Sequence, residues 1–104
     1  MTHYVVVKKL KEAAKKDLAK VTEWQNEYDK WLQAHGAKFE SVKHYLTAIG
    51  AEIYESWYVY PDVGALDADG DLSYQWADNS EWKRLNAKSQ EYFERVSSRI
   101  VRQI

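Results

Sequence analysis

The sequence predicts an α+β fold of the ferredoxin-like kind, β-α-β-β-α-β, with two helices on one face of an antiparallel sheet. Three observations carry that prediction. A valine triplet near the start is followed by apolar residues at helical spacing. Strand-rich segments on either side of Gly50 alternate in period two. A second helical stripe then precedes a short apolar tail.

His3 to Lys9 reads as the first strand, because Tyr4, Val5, Val6 and Val7 are strand formers and consecutive valines suit an element covered on both faces. Leu18, Val21, Trp24, Tyr28, Trp31 and Leu32 make the first helical stripe. Asp17, or a position nearer Glu12, starts that helix, and Ala34 or His35 ends it ahead of Gly36. Phe39 to Ile49 is the second strand, with Phe39, Tyr45 and Ile49 on one face and Val42, His44, Leu46 and Ala48 on the other. Gly50 turns the chain into a third strand, Ala51 to Tyr60, where Ile53, Glu55, Trp57 and Val59 alternate with Tyr54, Ser56, Tyr58 and Tyr60.

Pro61-Asp62 breaks that strand. A single helical turn over Val63 to Leu66 and an irregular loop over Asp67 to Ala77 are expected next. Asp78, three residues before Glu81, reads as a capping box for the last helix, whose stripe runs through Trp82, Leu85, Ser89, Tyr92, Phe93 and Val96. Arg99 to Ile104 is taken as a short fourth strand, with a continuation of the helix as the alternative. Right-handed crossovers place the first and third strands side by side in the centre.

Length bounds this to one domain over residues 1–104. No cysteine is present, which removes disulfides, thiolate catalysis and Cys-ligated zinc. No metal site and no cofactor are expected. No stretch approaches the ~18 apolar residues of a membrane helix, and no signal-type segment opens the chain, so a soluble cytoplasmic protein with no membrane partner is expected.

Charge is polarised. Lysines crowd Lys8 to Lys20, whereas Ala51 to Glu81 contains acidic residues and neither Lys nor Arg. The basic cluster lacks arginine and the acidic middle would repel phosphates, so no nucleic-acid partner is expected. Five Trp and eight Tyr are many for this length, and their polar tips need a wet or bonded place. Both strand faces carry apolar or aromatic residues, yet helices cover one. A second copy of the chain is the expected cover, making a homodimer.

At Tyr54-Glu55-Ser56-Trp57, followed by Pro61-Asp62 and Ala65-Leu66, the chain resembles the dimeric α+β barrel superfamily, which includes antibiotic-biosynthesis monooxygenase-like and NIPSNAP-like proteins. The resemblance implies a homodimeric barrel, with a cleft between sheet and helices in each subunit. It also implies relatives that carry out cofactor-independent oxygenation of aromatic compounds, haem degradation or isomerisation, together with many whose reaction is not known. Cofactor-independent oxygenation or isomerisation of a small aromatic compound is therefore the expectation here. The chain departs from the family's pattern where a loop is expected over Asp67 to Asp78, and in lacking a His shortly after Ala65-Leu66.

Candidate site residues follow from side-chain chemistry. His44 on a strand could carry protons near neutral pH, and His3 is a second such imidazole. Glu55 beside Trp57 in mid-strand needs an ion pair, a hydrogen bond or a cavity. Tyr54, Trp57, Tyr58 and His3 are the expected ligand-binding residues, with His44 and Glu55 as the catalytic pair; fold support or a dimer seam is the alternative use of the same residues. Asp67-Ala68-Asp69-Gly70-Asp71 opens like a calcium loop, but Leu72 stands where the loop needs glycine and Asp78 where it needs glutamate, so a solvated turn is expected. The functional expectation is a small-molecule-binding protein, with a non-enzymatic homodimeric interaction protein as the alternative.

Overall fold

A computed structural model describes residues 1–47 and 52–104, and the expectations for Ala48, Ile49, Gly50 and Ala51 lie outside the described residues. The elements are β1 (Thr2–Leu10), α1 (Glu12–Lys16), α2 (Leu18–Ala34), β2 (Ser41–Leu46), β3 (Ile53–Tyr60), α3 (Val63–Gln75), α4 (Ser80–Tyr92) and β4 (Phe93–Arg102). The strands form one sheet in the order β2-β3-β1-β4, with every neighbouring pair antiparallel. This is the ferredoxin-like arrangement with each helical crossover split in two. β1 and β3 are central, as the crossover rule requires.

Local chemistry explains the α2 boundaries. Asp17 accepts from the Lys20 amide at 3.2 Å and caps the start. At the end, the amides of Gly36 and Ala37 reach back to the carbonyls of Gln33 and Leu32, and Gly36 takes a φ of 102° that a side chain would resist.

Three expectations for the chain after Pro61 are corrected. The segment after Pro61 is the helix α3 through Gln75, not one turn and a loop: Asp62 caps it by accepting from the Ala65 amide at 2.8 Å, and Asp69 anchors it by accepting from the Lys38 amide at 2.8 Å and from the Tyr60 hydroxyl at 2.7 Å. That helix also removes one departure from the family's pattern. The cap of α4 is Asn79, which accepts from the Trp82 amide at 3.1 Å, rather than Asp78. Finally, β4 begins at Phe93. Phe93 and Val96 continue the helical phase of Tyr92, but pairing with β1 outweighs that local preference.

Sheet parity sorts the side chains. Tyr4, Val6, Lys8 and Leu10 of β1 share a face with Tyr54, Ser56, Tyr58 and Tyr60 of β3. Apart from Val5, which is fully buried on the opposite face, the strand residues of the hydrophobic core lie on this helix-covered face, where Leu10, Tyr54 and Phe93 meet Trp24 and Leu85, and Val6 and Tyr58 meet Leu32 and Trp76. Phe39 joins them, buried against Tyr58 and Tyr60, which places it opposite Tyr45 rather than beside it. The other face presents His3, Tyr45, Glu55, Trp57 and Arg99.

Candidate functional site

The expected site residues divide between the two sheet faces. His44, Tyr54 and Tyr58 lie on the helix side, while His3, Glu55 and Trp57 lie on the open side. One pocket cannot hold both groups.

On the helix side, strand pairing sets His44 directly opposite Ser56. Asp29 projects from α2 toward both. His44 Nδ1 is 2.7 Å from Ser56 Oγ, and Nε2 is 2.7 Å from Asp29 Oδ2. The other Asp29 oxygen accepts from Gln25 Nε2 at 3.1 Å and from the Tyr58 hydroxyl at 3.2 Å, and Tyr54 donates to Gln25 Oε1 at 3.0 Å. The chemistry resembles a nucleophilic triad in residue types alone. Ser56 is 1% exposed and is not part of the lining of the cleft that opens beside it, so its hydroxyl is closed to a substrate carbon. The network instead satisfies polar groups in the core, where an unpaired one would be costly.

A cleft of about 700 Å³ opens beside this network, between the sheet and helices α2, α3 and α4. Tyr4, Val6 and Lys8 supply its floor from β1, with Tyr58 and Tyr60 from β3 and Arg95 from β4. Tyr28, Trp76 and Trp82 supply aromatic walls, and Asn86, Ser89 and Gln90 a polar rim from α4. The Tyr28 and Trp82 rings stack at 5.9 Å, and Trp82 lies 5.1 Å from Trp76, so the wall is a continuous aromatic surface.

Its charge is cationic on the β1–β4 side. Arg95 stands opposite Lys8 in the strand register, and its guanidinium donates to the Tyr4 hydroxyl oxygen at 2.6 Å. Lys8 Nζ sits over the Phe93 ring at 4.8 Å and the Trp24 ring at 5.6 Å, with no carboxylate or hydrogen-bond partner among the described residues. Burial, with repulsion from Arg95 added, brings the Lys8 amine down to about 8, while the more distant Asp29 charge opposes the shift. Burial drives the phenols the other way. It pushes Tyr28 up to about 12, and it raises Tyr58 well above the ordinary phenol value, aided by Asp29. Tyr60 is also raised, by burial first and then by its hydrogen bond to Asp69. The cleft therefore offers the protonated phenols of Tyr28, Tyr58 and Tyr60, the Arg95 guanidinium and the Lys8 amine on its β1–β4 side, and the carboxylates of Asp67 and Asp69 on its α3 side.

Of the expected ligand-binding residues, only Tyr58 lines this cleft. Lys8 had a legible signal: period two places it on the same strand face as Tyr4, Val6 and Leu10. Gln25 and Asp29 also had one, since they continue from Val21 at steps of four within the apolar stripe. Arg95 had none while its segment read as helix.

On the open face, Arg99 donates to Glu55 Oε1 at 3.4 Å and lies 5.4 Å from the centre of the Trp57 ring, and His3 meets that ring edge-on at 5.9 Å. Glu55 thus finds its basic partner within its own chain.

No protein-family model matches the sequence, and no curated protein matches it. Solved structures do match in shape. Protein Atu4242 from Agrobacterium tumefaciens superposes with a TM-score of 0.73 at 14% identity, covering 100% of this chain and 94% of that one. An uncharacterised NIPSNAP domain protein from Burkholderia xenovorans gives 0.71 at 14% identity, covering 100% and 95%. An antibiotic biosynthesis monooxygenase gives 0.58 at 13%, covering 97% and 94%. The fold is that of the antibiotic-biosynthesis monooxygenase-like and NIPSNAP-like proteins. The resemblance read from Tyr54 to Leu66 holds at the level of fold. No described helix is long and apolar enough to cross a membrane.

Proposed function

We propose that this protein binds a small, planar aromatic molecule with an anionic end in the cleft between sheet and helices. The observation that carries the reading is the pairing, in one 700 Å³ cavity, of a stacked Trp–Tyr wall with two cationic side chains, Lys8 and Arg95. The rings supply area and stacking for an aromatic body. The guanidinium, already oriented by Tyr4, supplies charge-assisted hydrogen bonds to a carboxylate or phenolate.

The chemistry this lining supports is cofactor-free proton transfer, as in an isomerisation. Lys8, brought down to about 8, supplies an amine whose unprotonated fraction can take up a proton, and the hydroxyls of Tyr4 and Tyr60 orient oxygen atoms of the ligand. His44 acts through Asp29, which it holds in place beneath Tyr58. Tryptophan emission, titrated with phenolic acids, quinones, flavins and haem, tests the reading. Saturable quenching by an aromatic acid supports it, and a flat response across the panel refutes it.

The open face supports a homodimer. Trp57, half-exposed Tyr45 and the Glu55–Arg99 pair form a surface of mixed aromatic and paired charge, continuous with exposed Leu46. Sheet-to-sheet packing of two copies would cover it. A stable dimer that binds no aromatic acid would favour the non-enzymatic interaction protein instead.

A further inference from the structure

Lys8 lines the cleft with its amine over two aromatic rings. Its strand position points it into the cleft, between the aromatic core and the polar rim. Four basic residues meet carboxylates among the described residues: Lys15, Arg84, Lys88 and Arg99. Lys8 sets itself apart by its burial: its amine lies over the faces of Phe93 and Trp24 with no carboxylate in contact among the described residues, and Arg95 stands opposite it across the strands. A lysine enclosed by apolar rings beside a second cation is the arrangement that frees an amine for attack on carbonyl carbon.

We propose that Lys8 forms an imine with an aromatic aldehyde or ketone held in the cleft, its anionic substituent on Arg95. This rests on the cleft being an aromatic-acid site and names the carbonyl compounds it would take. The Nζ lone pair adds to the carbonyl carbon as the C=O π electrons move to oxygen. A nitrogen proton passes to that oxygen to give a carbinolamine. The hydroxyl then leaves with the second nitrogen proton as one water, and the C=N bond forms. No oxidant or reductant is consumed. With an aryl alkyl ketone the protonated imine makes the C–H on the alkyl carbon next to it acidic, so for that class the step serves the isomerising chemistry proposed for the same cleft. An aryl aldehyde has no such C–H and reports on imine formation alone. Lys8 on this reading touches the reacting atoms and is a catalytic residue, whereas Arg95 and Tyr4 position the ligand.

The test incubates the full chain with a hydroxynaphthaldehyde and cyanoborohydride near neutral pH, then maps the reduced adduct by peptide mass spectrometry. In parallel, tryptophan quenching by the matching hydroxynaphthoate, which cannot form an imine, reports on the cleft alone. The expected result is one adduct on Lys8 formed before any surface lysine reacts, with the wild-type chain binding the acid, and no adduct at position 8 in Lys8→Arg, whose fold is checked by circular dichroism. Acid binding with label absent from Lys8, or spread evenly over the lysines, overturns the imine and leaves the cleft reading standing. Neither compound binding to the wild-type chain overturns both.

Discussion

Asp29 on α2 and His44 on β2 hold each other at 2.7 Å beneath the cleft floor, with Gln25 and Tyr58 donating to the second carboxylate oxygen. The aspartate thus ties α2 to both β2 and β3. Replacing Asp29 by Ala strands three donors in a largely dry site, and a loss of about 3 kcal/mol is expected, the order seen when one partner of a buried pair is removed. Urea denaturation of the wild type and Asp29→Ala measures it. A loss below about 1 kcal/mol would show that water reaches the site and that the network is dispensable.

Lysine burial sets a pH dependence that Lys8→Met should remove. The folded Lys8 value of about 8 lies below its ordinary 10.5, so between those values the unfolded chain binds more protons than the folded one. Stability contributed through this group rises with pH across that window, and below it the burial penalty is fully felt. Lys8→Met should therefore be more stable than the wild type at about pH 7, with the advantage shrinking by about pH 10. Equal differences at both pH values would contradict the placement of the amine.

The buried phenols act in the opposite direction. Tyr28, Tyr54, Tyr58 and Tyr60 are all raised, burial being the first cause, so their contribution is complete below pH 10 and is lost as pH climbs through the folded values. Phenolate absorbance from these four should appear together with loss of circular dichroism in an alkaline titration. Ionisation of all the tyrosines with the fold still intact would argue against their burial.

The sheet's open face predicts assembly. Light scattering should return a dimer of the 12.2 kDa chain, and the double variant Tyr45→Asp with Trp57→Arg should return the monomer with its secondary structure kept. A monomeric wild type at high concentration would leave that face exposed and remove the barrel from the account.

Much of the fold was legible because local and tertiary preferences agree. Alternation in β3 assigned Glu55 and Trp57 to one face and Tyr54 and Tyr58 to the other, and Asp17 and Gly36 marked the α2 ends. Legibility failed where distant partners decide. The Asp-rich α3 looks like a loop until Asp69 is seen to accept from Lys38 and Tyr60, and Phe93 keeps helical phase with Tyr92 until β1 claims it. The site suffered more. Alternation already separated Glu55 from Tyr54, yet nothing in the chain tells which face the helices cover. Arg95 became visible only once β4 was in register.

Arg95 is the residue on which the account turns, because it places a permanent positive charge in the cleft, oriented by Tyr4 at 2.6 Å. The most direct test is calorimetric titration of a hydroxynaphthoate into the wild type and Arg95→Met. The account predicts saturable binding that weakens about tenfold or more in the variant, the cost of losing a charge-assisted hydrogen bond. Equal affinity in both would place the ligand elsewhere on the protein and contradict the cleft as the site.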